Sequence, residues 1–77
     1  MLISDEYIGT VFAATNLCID KYRWNDQFSS DVYYYGVDYN YAQSVSFAKL
    51  IDAIEYCLNL DISLETTLKL LKAKGEL

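Results

Sequence analysis

The feature that most constrains the fold is a tyrosine-rich segment, residues 32–41, whose side chains alternate along the chain. One side is largely aromatic and consists of Tyr33, Tyr35, Val37, Tyr39 and Tyr41. The other side is mixed and consists of Val32, Tyr34, Gly36, Asp38 and Asn40. A period of two is typical of a strand with one buried face. A lone strand leaves its backbone unpaired, so it must pair within the chain, with a second copy or with a target. The pattern is compatible with three arrangements: one long strand, a hairpin turning at Gly36-Val37-Asp38, or a strand that pairs back onto residues 24–28.

Residues 5–22 are predicted to form an N-terminal helix. Ser4 is suited to cap it, because its hydroxyl can accept a hydrogen bond from a free backbone N–H. Asp5 and Glu6 then lie in the first turn, where the helix dipole favours acidic side chains. Apolar and small side chains recur at helical spacing through the segment: Ile8, Val11, Phe12, Thr15, Cys18, Ile19 and Tyr22.

Two more helices are predicted in the C-terminal part of the chain. The first begins after Ser44 or Ser46 and ends near Asn59, with an apolar stripe of Phe47, Leu50, Ile51, Ile54, Cys57 and Leu58. The second is capped by Asp61 or Ser63 and stopped by Gly75, with a stripe of Leu64, Thr67, Leu68 and Leu71. The sequence therefore predicts one α+β domain over residues 1–77: an N-terminal helix, a small tyrosine-rich strand or hairpin, and two helices packed on one sheet face.

The net charge of −5, from 11 acidic and 6 basic residues, limits the partners of this chain. It repels phosphate backbones and anionic lipid, whereas it attracts a basic protein surface. No apolar run reaches the roughly 20 residues of a membrane span, and the first residues lack the pattern of a signal peptide. We therefore expect a cytoplasmic protein that binds neither nucleic acid nor membrane directly.

Catalysis, cofactors and metals are not expected. The chain has no histidine to shuttle protons near neutral pH, and its three glycines are isolated rather than grouped in a phosphate loop. Cys18 and Cys57 lie on predicted helix stripes and are interpreted as buried structural thiols. A disulfide between them is geometrically possible if the helices pack, but a cytoplasmic location argues against it. Two cysteines without histidine cannot build a usual zinc site, and the aspartates lack calcium-loop spacing.

Binding is the function that the aromatic segment predicts. Three short helices and a strand cannot hide every ring, and exposed aromatic area marks an interaction site. Tyr34 is expected to point away from the core, beside acidic and aromatic residues of the same strand and the preceding loop. The predicted partner-binding residues are Trp24, Asp26, Phe28, Asp31, Tyr34 and Asp38. Their carboxylates can imitate phosphates, so we expect an inhibitor that occludes a basic, nucleic-acid-handling partner.

Two resemblances bear on this expectation. In being compact, acidic and free of histidine, the chain is similar to phage-encoded anti-defence proteins, including anti-CRISPR proteins, which would place it in a host cytoplasm as a viral protein. Residues 48–74, with the turn Asn59-Leu60-Asp61-Ile62 and the helix start Ser63-Leu64-Glu65, resemble the helix-turn-helix of bacterial regulators. The second helix lacks the Arg, Asn and Gln that usually read bases. The remaining alternative is a structural subunit that forms a homodimer through the tyrosine-rich strand.

Overall fold

The computed structural model describes residues 4–25, 32–42 and 45–77 and has a four-stranded antiparallel sheet followed by two helices. The strands are β1 (Ser4–Ala14), β2 (Leu17–Asn25), β3 (Val32–Tyr39) and β4 (Val45–Phe47), and they lie side by side in chain order. The helices are α1 (Leu50–Leu58) and α2 (Leu64–Gly75). The class is α+β, as predicted, but the chain begins with strands.

The predicted N-terminal helix is wrong, because residues 5–22 lie in the β1–β2 hairpin. The pairing register shifts twice along β1, so Ile8 and Val11 are extra residues at β-bulges. Each bulge inserts a residue that breaks the period of two. Positions on the core side of β1, such as Gly9 and Phe12, therefore fall three apart, as they would in a helix. Asn16 turns the chain in the left-handed region (φ 61°), which Asn tolerates better than most residues.

The tyrosine-rich segment forms one strand, β3, so the alternating pattern was interpreted correctly. Val32 lies opposite Trp24, and the pairing with β2 continues to Tyr39 opposite Leu17. β4 pairs with the other edge of β3 along residues 35–37. Of the open arrangements, the single strand paired within the chain is the observed one. Two of the four tyrosines predicted to face the core are exposed. Tyr33 is 43% exposed, and Tyr41 follows the strand with φ 61° and is 93% exposed.

The first C-terminal helix begins later than predicted. Ser46 lies in β4 and Ser44 lies outside the described residues, while the residue at the cap position of α1 is Lys49, whose side chain makes no capping bond. The predicted end is confirmed, because Asn59 caps the C-terminus and its side-chain amide donates to the Glu55 carbonyl at 2.8 Å.

The hydrophobic core lies between one face of the sheet and the two helices. It is formed by seven buried residues, three from the strands and four from the helices: Leu17, Ile19, Val37, Ala53, Ile54, Cys57 and Leu70. Tyr35, Tyr39 and Phe47 pack against this cluster from the sheet. The helices therefore cover one face of the sheet, near the β1–β2 turn, as the sequence predicted for the C-terminal pair.

Helix α2 has the predicted start but the opposite orientation. The Ser63 hydroxyl accepts a hydrogen bond from the Thr66 N–H at 3.2 Å, which confirms the cap. The buried residues of the helix are Thr66 and Leu70. The predicted stripe is wrong, because its leucines face away from the core: Leu64 is 74%, Leu68 58% and Leu71 48% exposed. Within the described parts of the chain, neither helix is long and apolar enough to cross a membrane.

Candidate functional site

The sheet face opposite the helices is covered by no described element, and we call it the open face. Strand alternation and pairing place on it side chains from β1, β2 and β3. They include Asp5, Tyr7, Thr10, Cys18, Asp20, Tyr22, Trp24, Tyr34 and Asp38. A two-layer domain of this size normally leaves one sheet face to solvent, but such a face is usually polar rather than aromatic.

A row of three tyrosines crosses the open face. Tyr22 of β2 stacks on Tyr34 of β3, with ring centroids 5.2 Å apart and planes 14° from parallel. On its other side Tyr22 meets Tyr7 of β1 edge-on, at 5.9 Å. These contacts follow from the register, which places Tyr22 opposite both Tyr7 and Tyr34. Ring pairs of this kind are worth about 0.5–1.5 kcal/mol beyond their burial, so they favour this arrangement of the three rings.

Carboxylates flank the aromatic row. Asp20 accepts a hydrogen bond from the Thr10 hydroxyl at 2.7 Å, and that hydroxyl is also hydrogen-bonded to Tyr7 at 2.8 Å. On the far side of the row lies Asp5, which helps to raise the pKa of the Tyr34 hydroxyl. Asp38 lies directly across from Cys18 in the register of β2 and β3. Asp20 and Asp38 therefore lie on one side of the aromatic row and Asp5 on the other.

The pKa values of neighbouring groups indicate a negative field over this face. Burial, then the charges of Asp20 and Asp38, raise the pKa of the Cys18 thiol above its usual value. The same causes, in the same order, raise the pKa of Tyr22. For Tyr34, burial and then the hydrogen bond to Asp5 raise the pKa. All three groups are therefore neutral near pH 7, and the face carries only the charge of its carboxylates.

The cations of the sheet lie on its other face. Lys21 and Arg23 alternate with the open-face residues of β2. Lys21 places its ammonium 4.6 Å from the centre of the Tyr33 ring, and Arg23 forms an ion pair with Glu6. No lysine or arginine among the described residues lies on the open face, so the sheet is polarised across its thickness.

The structure places three of the six predicted partner-binding residues on the same face of the sheet. Trp24, Tyr34 and Asp38 lie on the open face, while Asp26, Phe28 and Asp31 lie outside the described residues. Sequence reasoning missed the contributions of β1 and of residues 17–22 of β2, because residues 5–22 were assigned to a helix. The alternation of Leu17 and Ile19 with Cys18 and Asp20 is the signal that could have revealed them.

The two cysteines occupy different environments. Cys57 is buried in the core, and burial raises its pKa to about 11. Cys18, also predicted to be buried, is only partly so, because it faces away from the core. Both thiols are free. The Cys18 sulfur lies 3.7 Å from an Asp20 oxygen and 3.9 Å from an Asp38 oxygen. These three donors lie within 4.8 Å of one another, one ligand short of the usual zinc set.

A shallow depression of about 450 Å³ adjoins this group at the end of the open face near the β1–β2 turn. Cys18, Asp38 and Tyr41 are among its lining residues. The depression offers a carboxylate and an exposed aromatic ring to a side chain inserted from outside.

Comparisons with known proteins do not assign the chain to a family. No family model, curated protein or solved structure matches it significantly.

Proposed function

We propose that this protein is a small, non-catalytic binding module whose open face engages a basic surface on a protein partner. The observation that carries the proposal is the pairing of a fixed aromatic row with Asp5, Asp20 and Asp38, on a face where the described residues place no cation. Aromatic rings held rigid lose little entropy on binding, and carboxylates around them attract a cationic surface.

Arginine is the partner residue that this face accommodates best. A guanidinium can stack on an exposed ring while donating hydrogen bonds to a neighbouring carboxylate. Tyr7, which is 56% exposed and linked to Asp20 through the Thr10 hydroxyl, offers that combination with Asp20. Asp38 with Tyr41 offers it again at the depression. A lysine ammonium forms the ion pair but lacks the planar stacking, so selectivity for arginine-rich surfaces follows.

Inhibition by occlusion is the proposed biological outcome. Nucleic acid presents negative phosphates and flat bases, and basic clefts bind it with arginines and aromatic side chains. The open face presents a similar combination of carboxylates and aromatic rings. The open face would then compete with a nucleic acid for such a cleft in the cytoplasm. Similarity in composition to phage anti-defence proteins, including anti-CRISPR proteins, supports this version. The absence of histidine from the sequence and the protonated state of Cys18 support a binding role rather than a catalytic one.

The decisive experiment neutralises the three carboxylates without removing their hydrogen-bond acceptors. The variant Asp5→Asn/Asp20→Asn/Asp38→Asn is compared with a control triple of equal charge change on other exposed positions, Asp52→Asn/Asp61→Asn/Glu76→Gln. Proteins captured from host lysate by each variant are quantified, and the leading partner is purified for measurement of Kd against salt concentration.

The proposal predicts that the open-face triple weakens binding at least tenfold and flattens the salt dependence. The control triple is expected to stay within about threefold of the wild type, because rim charges away from the contact change affinity little. Equal affinity and equal salt dependence for the two triples would refute the open face as the binding site.

A further inference from the structure

Helix α2 has two apolar sides, and only one of them is used by the fold. Thr66 and Leu70 face the core. At 3.6 residues per turn, the exposed leucines 64, 68 and 71 point roughly 140–200° away from Thr66, on the opposite side of the helix. We call Leu64, Leu68 and Leu71 the outer stripe. Its spacing of i, i+4, i+7 is the apolar seam through which two helices pack against each other.

When two copies of α2 pack antiparallel, the charged residues beside the outer stripe of one copy face residues of opposite charge on the other. Glu65 and Lys72 lie on the same flank of the stripe, one near each end of the helix. When two copies of α2 pack antiparallel with their Leu68 residues at the centre, Glu65 of each copy faces Lys72 of the other. In a parallel pair this flank would face the opposite flank of the other copy, so Glu65 and Lys72 would not meet. The flanking charges therefore select one orientation.

Lys72 is available for such a pair. Lys69 reaches Glu65 at 3.8 Å along the helix, and Lys74 reaches Glu55 of α1 at 3.4 Å. Lys72 alone of the α2 lysines has no ion pair within the described ranges. An antiparallel partner would give it one and would cover three leucines that the fold leaves in water.

We propose that the outer stripe of α2 is a homodimer interface in which two copies pack antiparallel about a two-fold axis. The interface is isologous, so each residue contact occurs twice. A contact made by helices of about 18 Å is smaller than the roughly 1,600 Å² of a standard stable interface, so we expect a dissociation constant of about 10–100 µM. Because the outer stripe and the open face lie on opposite sides of the molecule, dimerisation leaves both open faces free.

Sedimentation equilibrium over a range from micromolar to millimolar protein tests the proposal. The wild type is expected to move from the 8.9 kDa monomer toward twice that mass as concentration rises. Leu68→Gln, which keeps a good helix former, should weaken the dimer at least tenfold. Circular dichroism of each variant checks that the fold is retained.

Charge reversal tests the antiparallel orientation separately. Glu65→Lys and Lys72→Glu should each weaken the dimer at least fivefold, because each sets like charges against each other twice per dimer. The combined variant Glu65→Lys/Lys72→Glu should return to within about twofold of the wild type. Asp52→Lys, with the same charge change as Glu65→Lys but on α1, is the control and should leave the dimer unchanged.

Several results would overturn the proposal. They are a monomer at every concentration, a dimer insensitive to Leu68→Gln, and a double charge reversal no tighter than the single ones. A monomer that instead binds anionic vesicles through the outer stripe would assign the stripe to a membrane surface and would likewise refute the homodimer.

Discussion

Leu68 and Leu70 lie two residues apart on α2 and are expected to differ sharply in what they contribute to the stability of the fold. Leu70 is completely buried, whereas Leu68 is 58% exposed. Replacement by alanine removes three carbon groups, each worth about 0.8 kcal/mol when fully buried. For Leu70 the transfer term is therefore about 2.4 kcal/mol, and the cavity left behind raises the cost to about 3–4 kcal/mol.

The same substitution at Leu68 is expected to cost much less. About two fifths of the side chain is covered, so the transfer term is about 1 kcal/mol at most. Alanine is also the better helix former, which offsets a few tenths of a kcal/mol. A domain of 77 residues is stable by about 4–12 kcal/mol, so Leu70→Ala removes a large part of the total and Leu68→Ala a small part.

Urea unfolding followed by far-ultraviolet circular dichroism measures both costs. With a slope near 1 kcal/mol per molar urea, the midpoint falls by about 3–4 M for Leu70→Ala and by about 1 M at most for Leu68→Ala. The protein is held at low micromolar concentration, so that any association of monomers does not contribute. Equal midpoints for the two variants, or a larger loss for Leu68→Ala, would show that α2 presents the stripe predicted from the sequence to the core and would refute the packing described above.

Three further predictions test local features. Asp20→Asn should speed alkylation of Cys18 at pH 8 by about threefold, measured by mass spectrometry. Loss of the charge lowers the thiol pKa, and the larger thiolate fraction outweighs the reduced nucleophilicity of each thiolate. An unchanged or slower rate would contradict this. Ser63→Ala should reduce the free energy of unfolding by about 1 kcal/mol through loss of the helix cap, and a neutral result would count against the cap. A double-mutant cycle with Tyr22→Leu and Tyr34→Leu should give a coupling energy of about 0.5–1.5 kcal/mol in urea unfolding, whereas additive effects would mean that the rings do not stack.

The tyrosine-rich strand and both C-terminal helices could be predicted from the sequence because each has one undisturbed period. Residues 32–39 alternate without a bulge, so their faces follow from position alone. The β1–β2 hairpin could not be predicted in the same way. Its bulges at Ile8 and Val11 break the period of two, and what remains looks helical.

The orientation of α2 was unpredictable for a different reason. Its more hydrophobic side, with leucines 64, 68 and 71, faces solvent, while its core side contains Thr66 and Leu70. Periodicity identifies an apolar stripe but cannot say whether the fold or a partner covers it. Tyr7, Asp20 and Tyr22 were missed as site residues because the β1–β2 hairpin was predicted to be a helix. They lie on the open face only through the register of β1 and β2 with β3.

The most direct test of the central claim, that the open face binds arginine-rich surfaces, is a nuclear magnetic resonance titration of the labelled protein with a hexa-arginine peptide. We expect amide shifts concentrated in residues 5–10, 18–24 and 34–41, with little change in α1 and α2, and weaker shifts at the same positions with hexa-lysine. Shifts spread evenly over the acidic surface, or concentrated on the helices, would contradict it.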